Sequence, residues 1–131
     1  MYRSSGILQY FTDPIKLVAQ VDLDLGNFYR SLIPKYYGVS RPMYDPHISV
    51  IRKVVPPNMS VWGKYQDDKV DFDYDHYVFN DELYFWLNVF SPQLESIRLE
   101  LGVKPFGDAT LSPDGRHKFH ITLGNLKNKK A

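Results

Sequence analysis

The chain contains no cysteine. That single absence removes disulfide frameworks, Cys-ligated zinc, iron–sulfur clusters and thiol nucleophiles together, and it fits a reducing compartment. No run of about 18 apolar residues occurs, and no N-terminal stretch joins a basic segment to an apolar core and a small-residue cleavage site. The expectation is a soluble, unexported, cytoplasmic protein with no membrane partner. An excess of one charge is also missing: sixteen Lys and Arg face fifteen Asp and Glu, for a net charge of +1. Counterion release from a long polyanion needs a basic excess, so a DNA duplex is not the expected partner and a small anionic ligand is. Glycine-rich phosphate loops are absent as well. Gly102-Val103-Lys104 and Gly107 do not make a P-loop, and no Gly-x-Gly-x-x-Gly occurs. Asp71, Asp73, Asp75 and Glu82 have the spacing of a calcium loop, but His76 stands where the sharp turn needs glycine, and Phe72 and Tyr74 interleave as on a strand. No metal and no cofactor is therefore expected.

What is present is an ordinary globular composition, 44% hydrophobic over 131 residues. This suits one α+β domain spanning 1–131. A first apolar stretch, Ile7 to Phe11, ends at the turn-like Thr12-Asp13-Pro14, and Ile15 to Val21 reads as a strand. Asp22 or Asp24 can cap a helix whose apolar face is Leu25, Phe28, Tyr29, Leu32 and Ile33, stopped by Pro34 and Gly38. His47 to Val55 alternates as a strand and runs into Pro56-Pro57. The tyrosine- and aspartate-rich middle predicts a short turn or helix near Trp62 and one or two strands. Leu83 to Phe90 is an aromatic strand. Ser91-Pro92 has N-cap and N1 chemistry, Leu94, Ile97 and Leu101 give the next helix its stripe, and Gly102 ends it. A loop through Pro105 and Pro113 leads into the strand Lys118 to Leu123. Two halves thus share one plan of strand, helix, proline-bearing loop and histidine strand.

The final strands of the halves read His47-Ile48-Ser49-Val50 and His120-Ile121-Thr122-Leu123. Strand side chains alternate, so each histidine shares a face with the hydroxyl two residues on, while the apolar pair faces the core. These two His-x-Ser/Thr-x motifs, embedded in the strand–helix–strand order, resemble those of the 2H phosphoesterase superfamily. The resemblance implies a 2H phosphoesterase, or LigT-like, fold of two lobes, about 12–57 and 80–126, each a small mainly antiparallel sheet with an outer helix, around a central cleft. It also implies a hydrolase in which His47, Ser49, His120 and Thr122 are catalytic. The superfamily includes RNA 2′,3′-cyclic phosphodiesterases, RNA ligase-like proteins, 2′,5′-oligoadenylate phosphodiesterases and viral anti-CBASS enzymes that cleave cyclic oligonucleotide signals. The short chain is similar to the compact viral forms, which implies a cyclic di- or trinucleotide substrate and action in an infected host cell. An RNA 2′,3′-cyclic end is the alternative substrate, and a sequestering module that binds nucleotide without cutting it is the alternative class.

The chemistry suits the residue types. Imidazoles titrate near pH ~6.5, so two of them can act as base and acid at neutral pH, and hydroxyl donors can hold the non-bridging oxygens as charge gathers on phosphorus. Without a metal, such a site favours an activated diester, meaning a strained cyclic phosphate or one beside an attacking 2′-hydroxyl. Lys118 shares the face of His120 and is a candidate for phosphate contact. Tyr10, Tyr44 and Trp62, in or beside loops, are candidates for stacking on a base. Arg52 has the parity opposite to His47 and is expected to be a structural or surface residue unless the strand bulges. His76 and His117 lack the motif.

Overall fold

A long strand, β1 (Tyr2–Thr12), turns through Asp13-Pro14 into β2 (Ile15–Val21). The computed structural model describes residues 1–105 and 119–127. Helix α1 (Leu23–Ser31) comes next, opened by Asp22, whose Oδ1 accepts from the Asp24 amide at 2.8 Å. After a 3-10 turn at Lys35–Tyr37 comes β3 (His47–Ile51), and a second 3-10 turn at Met59–Val61 precedes β4 (Lys69–Tyr74). In β4, Val70, Phe72 and Tyr74 are buried while Asp71 and Asp73 alternate outward. The short β5 (Phe79–Asn80) and β6 (Tyr84–Phe90) lead into α2 (Pro92–Glu100), then β7 (Phe119–Asn125). Ser91 Oγ accepts from the Leu94 amide at 3.3 Å and Pro92 occupies the first turn, where its missing N–H costs nothing.

Among the described residues the architecture is α+β with a seven-stranded sheet in the order β4-β1-β2-β3-β7-β6-β5, and every pairing between these strands is antiparallel. β4 also pairs with β6 through Asp73↔Phe90 and Tyr74↔Val89, so the sheet closes on itself. Cross-strand partners face the same side. One row of partners runs Leu8, Ala19, Ile48, Ile121 and Leu87, all buried. Tyr29 and Ile33, at and just beyond the end of α1, join that core with Leu94, Ile97 and Leu101 of and beside α2, as the predicted stripe requires. Each fully buried aliphatic contributes about 1.5–3 kcal/mol. α1 packs on β7, and α2 packs on β3 and β4. Among the described residues no helix is long and apolar enough to cross a membrane.

Several elements depart from the sequence reading. β1 begins at Tyr2 because residues 2–7 find partners along β4. β3 stops at Ile51, short of Val55. Phe28 and Leu32, assigned to the buried face of α1, are 57% and 55% exposed, since only a narrow stripe through Gly26, Tyr29 and Ile33 meets the sheet.

Both histidine strands carry a β-bulge. On β3, Ser49 faces Val18 and Ile51 faces Leu17, which leaves Val50 as the extra residue. On β7, Thr122 faces Trp86 and Gly124 faces Phe85, which leaves Leu123 as the extra residue. A bulged residue is left out of the ladder. The carbonyl of Val50 is recovered by the buried Arg98 of α2, whose Nη1 donates to it while Nε donates to the Lys104 carbonyl at 2.8 Å. Beyond the second bulge, Gly124 permits close approach of residues 39–40. A Cβ there would lie 2.7 Å from the Ser40 carbonyl oxygen, and Ser40 and Asn125 exchange backbone bonds of 2.9 and 3.0 Å.

Candidate active site

The face opposite the core carries the two motifs. β3 and β7 pair antiparallel at Ile48↔Ile121. One residue to either side, that register sets His47 opposite Thr122 and Ser49 opposite His120. All four side chains are half-buried, alternating with buried Ile48, Val50, Ile121 and Leu123. Directly opposed side chains leave the sheet about 4.5–5.5 Å apart and diagonal ones about 7–8 Å. By this register each histidine stands opposite the hydroxyl residue of the other strand, and the two histidines lie on a diagonal of one face.

The rows extend outward. Gln20 faces His47 on β2, and Trp86 faces Thr122 on β6. In the second row Val18 faces Ser49, and Asn88 faces His120. A carboxamide thus stands opposite each histidine. The two bulges fall at the fourth residue of each motif, immediately past the hydroxyl, where they reverse the facing of the residues beyond and confine the His-hydroxyl pair to one side.

The His47 ring is oriented by its own loop. Nδ1 lies 2.8 Å from the Asp45 carbonyl oxygen, which can only accept, so Nδ1 carries the proton and Nε2 is the nitrogen presented outward. The Tyr44 ring meets the His47 ring edge-on, with centroids 6.4 Å apart, and Lys16 Nζ lies 5.2 Å from the Tyr44 centroid. On the other side the setting is packed. Trp86 is fully buried and its Nε1 donates to Asn88 Oδ1 at 2.9 Å, which fixes the amide.

A shallow surface recess opens at Thr122, between α1 and the loop before β3. Thr122, Tyr44, Asp45, Arg30 and Arg41 contribute to its wall. Burial first, and then the nearby charge of Arg41, lower the Arg30 guanidinium from its ordinary range. Arg30 Nη2 donates to Asn27 Oδ1 at 3.0 Å, and among the described residues neither arginine has a carboxylate within 4.0 Å.

The sequence-based candidates divide. Tyr44 stands with the motif residues. Tyr10 does not: it pairs with Leu17, on the core side of the sheet, and packs edge-on against Trp62 at 4.9 Å. Both are partly buried against the core, with the Trp62 Nε1 enclosed without an acceptor among the described residues. The β1–β2 register places Tyr10 on the opposite side of the sheet from the histidines, and Trp62 packs against it just past the Met59–Val61 turn. Lys118 and His117 lie outside the described residues. The bulge at Val50 cancels the parity argument for Arg52, which is exposed just past the end of β3. Gln20, Asn88, Lys16, Arg30 and Arg41 were missed. A signal existed for the amides, since Gln20-Val21 and Asn88-Val89 each shortly precede a helix-capping residue. The arginines carried none.

No family model matches the chain, and no curated protein or solved structure matches it.

Proposed function

We propose that the chain is a phosphodiesterase of the 2H type that needs no metal and cleaves cyclic oligonucleotides, such as cyclic di- or trinucleotide signals, as viral enzymes that evade host defence do. The observation that carries this reading is the adjacency of the two His-x-Ser/Thr-x motifs across one antiparallel pair, on the face away from the core. In this reading β2-α1-β3 and β6-α2-β7 are the centres of two lobes, and the histidine strands form the floor between them.

The reaction is dictated by the donor set. A neutral imidazole takes the proton of a ribose 2′-hydroxyl as its oxygen attacks the neighbouring phosphorus. The bond from phosphorus to the 5′-oxygen breaks, and the second imidazole, protonated, gives its proton to that oxygen. The products are a 2′,3′-cyclic phosphate and a free 5′-hydroxyl. Water then opens the ring with the proton roles reversed. Ser49 and Thr122 donate to the non-bridging oxygens in both steps. His47 acts through Nε2, since its Nδ1 proton is held by the Asp45 carbonyl. Positioning of the internal hydroxyl supplies the nucleophile, which accounts for a site built from imidazole and alcohol groups.

The test is incubation in EDTA with cyclic dinucleotides, cyclic trinucleotides and 2′,3′-cyclic nucleotides, with products identified by mass. Cleavage of the cyclic oligonucleotides that is abolished in His47→Ala and His120→Ala is the expected result. Turnover confined to 2′,3′-cyclic nucleotides would make the protein an RNA-end enzyme. Binding with no product from any substrate would make it a sequestering module. A 2′-deoxy analogue is expected to be inert, and its efficient cleavage at the same bond would refute internal attack.

A further inference from the structure

We propose that the recess between α1 and the loop before β3 is a second phosphate subsite, in which Arg30 and Arg41 hold a non-scissile phosphate of the substrate. The inference rests on the phosphodiesterase reading for the word substrate, and it narrows the substrate class: the ligand carries at least two phosphates joined through a nucleoside.

Four observations converge on it. The recess shares Thr122 with the candidate active site, and Tyr44 and Asp45, which both contact His47, also line it. Two guanidinium groups face one cavity, one of them half-buried, and among the described residues no carboxylate lies within 4.0 Å of either. Like charges gathered without a directly paired counter-charge repel in the empty protein, and an anion between them relieves that repulsion. Arg30 is held by Asn27 from the preceding turn of the same helix, so its fork is aimed before binding and less side-chain freedom is lost. Asp45 also contributes to the wall, with its carboxylate more than 4.0 Å from either guanidinium. Tyr44 stands at the boundary, touching the His47 ring on one side and the recess on the other, where a base joining the two phosphates would meet an exposed aromatic face.

The chain as a whole is nearly neutral, so local placement and not net charge must do the selecting. That sets the control. Arg3 pairs with Asp73 at 3.0 Å at the far side of the sheet, and Arg3→Gln removes one positive charge without touching the recess.

The test uses 3′,5′-cyclic diadenosine monophosphate as a two-phosphate probe and 2′,3′-cyclic AMP as a one-phosphate substrate. Binding of the probe is measured by calorimetry on His47→Ala/His120→Ala protein, which prevents turnover. Adding Arg30→Gln and Arg41→Gln is expected to weaken the probe by at least about tenfold, while Arg3→Gln changes nothing. In protein with both histidines, the same arginine pair is expected to leave kcat/KM for 2′,3′-cyclic AMP unchanged. A loss no larger than that from Arg3→Gln overturns the subsite, as does an equal loss for both ligands or a failure of the probe to bind at about 1 mM. Should the protein turn over neither ligand and still lose the probe on arginine substitution, the subsite stands and the phosphodiesterase reading falls. Should turnover be intact and indifferent to the arginines, the reverse holds.

Discussion

The segments β2-α1-β3 and β6-α2-β7 repeat one backbone plan and fill it differently. Each runs from a strand through a side-chain-capped nine-residue helix to a histidine strand paired antiparallel with the first. Each has an amide opposite the histidine and a bulge at the fourth motif residue. Around His47 the plan is left open: Gln20 is exposed, Tyr44 is 62% exposed, and the arginine-lined recess adjoins. Around His120 it is closed, with Trp86 at 0% and Asn88 at 6% exposure. Backbone repetition places the two motifs alike, and side-chain filling leaves the surroundings of one open and those of the other packed.

The largest effect tests the equivalence. His47→Ala and His120→Ala are each expected to lower turnover by about 10²–10⁴-fold with the far-UV spectrum unchanged, and the double variant to be little worse than either. A severe loss at only one histidine breaks the symmetry of roles. The next effect sharpens the contrast in filling. Trp86→Ala is expected to cost about 3–5 kcal/mol in urea unfolding, against about 1–2 kcal/mol for Val18→Ala at the matching place on β2. Equal costs would mean that the two halves are packed alike. Smaller again, Asn88→Ala takes the acceptor from the buried Trp86 N–H and is expected to cost about 1–3 kcal/mol, whereas Gln20→Ala stays within about 0.5 kcal/mol.

The smallest effect concerns the helix ends. In α1 the last-turn Arg30 bonds within its own helix, while in α2 Glu100 reaches out to Lys64 at 3.0 Å and accepts from the Tyr65 hydroxyl at 2.9 Å. The bond from Lys64, and then that from Tyr65, hold the Glu100 carboxyl below its usual range. A depressed carboxyl contributes stability above its unfolded value and loses it as pH falls through the folded value. Glu100→Gln is therefore expected to lower the urea midpoint slightly at about pH 7 and to match the parent at about pH 3, and a constant difference across that window would refute the linkage.

Much of the fold and of the candidate site was legible in the chain because it is local. The alternation in His47-Ile48-Ser49-Val50 states which side chains share a face, and Ser91-Pro92 with Leu94, Ile97 and Leu101 states where α2 starts and which side it buries. What escaped depends on register. Tyr10 reads as a loop-side aromatic until the turn at Asp13-Pro14 sets it against Leu17 and so onto the core. The bulges at Val50 and Leu123 are defined only by the register against β2 and β6 and leave no mark in the motif. Arg30 and Arg41 belong to different elements, each unremarkable alone, and only the packing of α1 beside β7 brings them to one recess.

The closure of the sheet through β4 and β6 has a further consequence. An open sheet ends in a row of unsatisfied amides and carbonyls that a neighbouring molecule can extend, and strand-by-strand polymer growth starts from such a row. Here β4 is flanked by both β1 and β6, and the terminal strand β5 is two residues long. A chain with ten tyrosines and eight phenylalanines thus offers, along its described strands, little template for self-templated fibres.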